Sequence, residues 1–134
     1  MTYLLDSAVC VSVTRRRSDA VVRRLLAASP ADLAISTVTL LELEVGVFRS
    51  QHPERERQRV DQLLLVLPRL IPFDVEAARV CARVRHLTRF QPIGILDAQI
   101  AATALVHDLT VVTNNVREFA RVPGLRVEDW SRAE

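Results

Sequence analysis

Short apolar runs alternate along this chain with longer segments of helical periodicity. Positions 2–5 (Thr-Tyr-Leu-Leu) are β-prone and apolar without alternation, and they stop at Asp6. A continuously apolar strand of that kind fits the middle of a parallel sheet covered on both faces. Residues 7–14 form a short helix, Arg15-Arg16-Arg17-Ser18 an exposed turn, and Ser18 or Asp19 caps a helix reaching 28. Ser29-Pro30 ends that helix, and a second strand covers 32–36. Ser36 or Thr37 then caps a helix over 37–49, with Val38, Leu41, Val45 and Phe48 as its buried stripe. Glu42 lies beside the stripe and Gly46 falls one turn later on the same face. Glu44 points about 200° around the helix from Glu42, so only one of the two can face a given site.

A charged helix opens at His52-Pro53, turns apolar over 63–67 and is stopped by Pro68; a third strand follows at 69–73. Asp74 caps a helix over 75–89, with Glu76 in its first turn and Arg79, Arg83 and His86 along one side. After a helix over 94–107, the fourth strand (109–113) ends in Asn114-Asn115. A turn with Val116 and Phe119 tucked inward leads to Pro123-Gly124 and a last short strand at 125–128. This alternation predicts an α/β protein: a three-layer α/β/α sandwich with a short, mostly parallel central sheet, in a single domain spanning 1–134.

The helix over 94–107 is apolar or small on nearly every side, which predicts burial. Asp97 nevertheless sits in its first turn, and an unpaired charge in a core costs several kcal/mol at least. In open parallel sheets, ligands bind outside the carboxyl ends of the strands. Asp6 ends the first strand, Asn115 follows the fourth, Glu42 sits in the second turn of the helix after the second, and Asp97 enters from the same side. Each has an ordinary explanation alone: a turn residue, a solvated helix face, a complement to a helix dipole. Together, three carboxylates at one low-dielectric rim repel each other, and a divalent cation is the remedy. All-oxygen donors suit Mg²⁺ or Mn²⁺ rather than zinc. Such an ion polarises a phosphoryl oxygen and activates water, which points to hydrolysis of nucleic acid.

Composition adds limits. At 134 residues and 49% hydrophobic, the chain can bury a proper core. Its apolar runs fall far below the roughly 20 residues of a membrane span, and no signal-peptide pattern opens it; a cytoplasmic protein with no membrane partner is the expectation. Cys10 and Cys81 lack metal-binding spacing and read as small buried hydrophobes. Net charge is only +2, yet all 18 basic residues are Arg. Arg suits bidentate phosphate recognition, although an Arg-only chain equally reflects a GC-rich genome. Arg15–Arg17, Arg79, Arg83, Arg89 and Arg117 are placed to hold nucleic-acid phosphates, or to serve as solvated faces and partner contacts. A phosphoryl-accepting receiver domain built on Asp6 fits poorly, because it needs a Lys at the sheet edge and the chain has none.

Four segments carry a family resemblance. Tyr3-Leu4-Leu5-Asp6-Ser7, the run from Ser36 through Glu42 to Gly46, the run from Pro92 through Asp97 to Ala104, and Val112-Thr113-Asn114-Asn115 through Phe119 resemble PIN-domain ribonucleases, specifically VapC-type toxins of bacterial toxin–antitoxin pairs. The likeness spans essentially the whole chain. It implies a Mg²⁺- or Mn²⁺-dependent endoribonuclease that blocks translation by cleaving RNA, a homodimer, and a cognate antitoxin whose tail covers the acidic site. Asp6, Glu42 and Asp97 match the family's metal-binding acids, Asn115 stands where a fourth acid or Asn is found, and Thr113 matches a frequent Ser/Thr near the site. Two positions depart from the pattern. Ser7-Ala8 replaces Thr followed by Asn or Ser, so Ala8 cannot help orient Asp6. Asn115 removes a charge for which Glu118 could compensate. A PIN-like module without activity, serving as a binding partner, is the alternative reading.

Overall fold

The computed structural model describes residues 2–131, so residues 1 and 132–134 of the expected domain lie outside the described residues. Five strands form one all-parallel sheet: β1 (Tyr3–Leu5), β2 (Leu33–Ser36), β3 (Leu70–Ile71), β4 (Thr110–Val112) and β5 (Val127–Glu128), in the order β3-β2-β1-β4-β5. The helices are α1 (Ser7–Thr14), α2 (Asp19–Ala27), α3 (Thr37–Arg49), α4 (Pro53–Val66), α5 (Val75–Leu87), α6 (Ile95–His107) and the single turn α7 (Val116–Phe119). Side chains start four of them. Asp6, Ser18, Ser36 and Asp74 accept the backbone N–H of Val9, Val21, Thr39 and Ala77, respectively, each satisfying a donor that the helix itself cannot.

Successive strand residues face opposite layers. Leu4 joins Ala98, Ile100, Ala101, Ala104 and Val84 in a core beneath α5 and α6. Leu5 joins Val9, Leu25, Leu43, Val60 and Leu63 in a core beneath α1 to α4. The three-layer sandwich follows from that division. Cys10 and Cys81 are buried free thiols, as expected. Among the described residues no helix is long and apolar enough to cross a membrane.

The expected stripe on α3 is corrected. Val38 is buried, but Leu41 and Phe48 are 53% and 85% exposed, and the inward side carries Thr39, Leu43 and Val47 instead. The helix is apolar at so many positions that two stripes of helical spacing fit its sequence. Packing against α1 and α4, which supply Val9, Val60 and Leu63 to the same core, selects the second. The third strand is also shorter than expected. Pro68 and Pro72 flank it and lack the N–H that would extend the ladder, and β3 lies at the sheet edge where proline is tolerated. Asp32 belongs to a 3-10 turn, Pro30–Asp32, rather than to β2.

From β1 the chain winds outward through β2 to β3, then crosses back to place β4 on the other side of β1. The carboxyl ends of β1 and β4 therefore flank a topological switch point, the place where open α/β sheets hold ligands.

Candidate active site

Asp6 leaves the carboxyl end of β1 and is only 4% exposed. Its position is fixed twice: Oδ1 accepts the Val9 N–H at 2.9 Å as the cap of α1, and Oδ2 accepts the hydroxyl of Thr113, which follows β4. The Thr113 hydroxyl oxygen in turn accepts the Asn115 N–H at 2.9 Å. One buried hydroxyl thus ties the two strand ends across the switch point. Burial pushes the Asp6 carboxyl up from its ordinary value; Thr113 and the Val9 amide oppose that, and the Glu42 carboxylate adds to it.

Glu42 projects from the second turn of α3 and accepts the Ser7 hydroxyl at 3.0 Å. Glu44 faces elsewhere, in an ion pair with Arg57 of α4, so the two acids do face apart.

Asp97 enters on the first turn of α6, whose N-cap Gly94 offers no side-chain hydrogen bond. The Gly94 N–H donates to Glu118 Oε1 at 2.6 Å, and the Asn115 amide donates to Glu118 Oε2 at 2.7 Å. A Cβ on Gly94 would stand 3.5 Å from Glu118 Oε1 and 3.7 Å from Asp97 Oδ2, so the two acids crowd one loop. Asp97 is half-buried, and its carboxyl is pushed up to about 6, first by loss of water and then by the charges of Glu118, Asp6 and Glu42. Glu118 moves the other way, held low chiefly by the Gly94 N–H. As pH falls through about 6, Asp97 is the member of this pair that takes up the proton first.

Asp6, Glu42, Asp97 and Asn115 therefore reach the same rim, with Ser7, Thr113 and Glu118 among them. They do not close on one point: among the described residues no three His, Cys, Asp or Glu side chains surround a common centre. Asp6, Glu42 and Glu118 are instead held by neutral donors: the Thr113 and Ser7 hydroxyls and the Gly94 N–H with the Asn115 amide. The donor set still fits a hard divalent cation, because it is all oxygen and three negative neighbours raise the Asp97 carboxyl.

Glu118 carries more of the local structure than its place in a surface turn implied. The signal was the Asn115-x-x-Glu118 spacing, which puts both side chains on one face of the α7 turn. The Gly94 amide had no side-chain signal. Replacing Glu118 by Gln removes the charge that raises Asp97 most, so the Asp97 carboxyl is expected to titrate closer to an ordinary aspartate. Side-chain carboxyl NMR reads this directly, and an unchanged Asp97 midpoint would show that the Glu118 charge does not raise it.

Comparison with known proteins supplies the family. Residues 3–125 match the PIN domain. A tRNA(fMet)-specific endonuclease VapC from Shigella flexneri is 37% identical over 133 residues, covering 98% of this chain and 99% of the relative. The chain belongs to the PIN-domain family of VapC ribonucleases. The solved DNA-bound VapBC of Salmonella typhimurium contains a VapC-like chain of the same fold, with a TM-score of 0.90, 32% identity, and 97% and 98% of the two chains covered. VapBC2 of Rickettsia felis, solved on a fragment of its promoter, gives a TM-score of 0.89 at 30% identity over 97% of this VapC-family chain and 99% of that one.

Proposed function

We propose that this protein is the toxin of a type II toxin–antitoxin pair, a metal-dependent endoribonuclease that cleaves RNA and so inhibits translation until a cognate antitoxin neutralises it. The observation carrying the reading is the acid cluster at the β1/β4 switch point, where Asp6, Glu42 and Glu118 all raise the Asp97 carboxyl. Asp6, Glu42 and Asp97 would hold Mg²⁺ or Mn²⁺, which when bound supplies a polarised phosphoryl oxygen and an activated water. Thr113 holds the buried Asp6 carboxylate in place, and Ser7 does the same for Glu42. Asn115 and Glu118 brace the loop that presents Asp97. Asn115 offers a neutral amide where a further carboxylate would add repulsion.

The antitoxin has a surface to cover. Leu26, Phe48 and Leu65 are 75%, 85% and 83% exposed on α2, α3 and α4 and are candidate contacts for it. A homodimer bound to antitoxin is the expected assembly.

The test is cleavage of an RNA pool that includes initiator tRNA, the substrate named for the Shigella relative. Chelator-treated protein should leave the pool intact, and Mg²⁺ or Mn²⁺ should restore cleavage. Tight binding of a protein partner with no cleavage of any RNA under either ion would instead favour the inactive binding module.

A further inference from the structure

A second polar feature lies away from the acids. The end of α1, the end of α3 and the beginning of α4 enclose an open cavity of about 360 Å³, lined by Arg15, Gly46, Arg49, Arg55, Glu56 and Arg59 among others. Four guanidiniums face one carboxylate there. Glu56 is buried, with its side chain 11% exposed, and it accepts Arg15 at 3.1 Å and Arg59 at 3.2 Å. A carboxylate bridging two guanidiniums holds them in place, and each keeps further N–H donors, since a guanidinium has five. Arg49 and Arg55 are exposed and have no carboxylate partner among the described residues. At Gly46 a Cβ would meet nothing within 4 Å, so the wall is open where α3 passes.

Two helices connect this cavity to the acids. Ser7 and Glu42 hydrogen-bond to each other at the start of α1 and in the second turn of α3. Arg15, at the far end of α1, and Gly46 and Arg49, further along α3, line the cavity. At 1.5 Å rise per residue, Arg49 lies about 10 Å along α3 from Glu42 and Arg15 about 12 Å along α1 from Ser7. Those spans correspond to a few nucleotides of extended RNA.

We propose that the cavity between α1, α3 and α4 is a binding subsite for an RNA backbone phosphate a few nucleotides from the bond that is cut. The proposal rests on the ribonuclease reading of the acid cluster. Rigid, planar guanidiniums match phosphate oxygens bidentately, and their cooperation with the acids places the chain along the α1–α3 face. The lining is charged rather than apolar, which distinguishes the cavity from the exposed Leu26 and Leu65 surface that suits a protein helix.

The experiment measures binding of a labelled RNA by fluorescence anisotropy across a salt series, with EDTA present to prevent cleavage. The variant Arg49→Glu with Arg55→Glu leaves the Glu56 bridge intact. It should bind at least ~10-fold more weakly at low salt, and its slope of log Kd against log salt should fall by about 1.4, two single-strand phosphate contacts at ~0.7 each. Thermal melting of Arg49→Ala with Arg55→Ala checks that the fold is kept. The variant Arg69→Glu with Arg85→Glu changes net charge equally but lies elsewhere, and should keep a slope near wild type. An unchanged slope in the Arg49/Arg55 variant overturns the proposal. So does an equal loss in the Arg69/Arg85 variant, and so does weakened antitoxin binding with RNA binding intact, which would assign the cavity to a protein. Wild-type protein that shows the slope difference yet cuts no RNA with Mg²⁺ or Mn²⁺ would keep the subsite and sink the ribonuclease reading.

Discussion

Replacing Asp97 by Asn should abolish RNA cleavage, by roughly 10²–10⁴-fold, while making the metal-free protein more stable. The two effects share a cause. Burial and three negative neighbours raise the Asp97 carboxyl to about 6, from an ordinary 3.8. A group raised on folding favours the folded state in its protonated form. Its contribution is complete below pH ~4, where the unfolded acid is also protonated, and is lost as pH rises through about 6. Above that, the ionised carboxylate in the metal-free site is a liability that Asn does not carry. Because Asp97 is only half-buried, solvent screening cuts the benefit to about 1 kcal/mol, a rise in Tm of roughly 3–5 °C for a domain of this size. Melting both proteins in EDTA at pH 4.5 and pH 8 should show the difference at pH 8 and little at pH 4.5. Adding Mg²⁺ should raise the wild-type Tm and leave the variant behind. A lower Tm for the variant at pH 8 would make Asp97 a structural residue, and full activity would remove it from the site.

The parts of this molecule that depend on local chemistry are those its sequence announces. Ser18, Ser36 and Asp74 cap helices where their positions predict, because a short oxygen-bearing side chain before a periodic run has one local partner, the N–H three residues on. The convergence of Asp6, Glu42, Asp97 and Asn115 on one rim is legible because the parallel α/β topology sends the ends of β1, β2 and β4 and the start of α6 to the same side. What local patterns do not contain is the choice among equivalent surfaces. On α3, apolar residues allow two stripes, and only the arrival of α1 and α4 chooses Leu43 and Val47 over Leu41 and Phe48. Glu118 is similar. Its carboxylate is placed by the Gly94 amide, 24 residues earlier, which no sequence spacing reveals. The cavity at Arg49 and Arg55 needs three helix ends together, so a count of arginines could not locate it.

Thr113 makes the strongest case for a residue that matters through what it holds. Its side chain is fully buried, and its hydroxyl donates to Asp6 while accepting the Asn115 N–H, so it is engaged in both roles. Thr113→Val keeps the shape and removes both bonds. The buried Asp6 carboxylate then has only the Val9 amide, and the Asn115 N–H loses its acceptor; stability should fall by about 1–3 kcal/mol, the range for buried polar groups left unpaired. The pH dependence identifies the cause. Thr113 is the main influence lowering a carboxyl that burial has already raised, so its loss raises Asp6 further. A group with a raised folded-state value stabilises when protonated and loses that contribution as pH rises. The destabilisation by Val should therefore be larger at pH 8 than at pH 4. Cleavage should fall by roughly 10–100-fold, as for other residues that orient metal-binding side chains, and Thr113→Ser should recover most of both. Equal losses of Tm at the two pH values would trace the effect to packing alone. A Val variant that cleaved RNA normally would mean that Asp6 keeps its working position without the hydroxyl that spans β1 and β4.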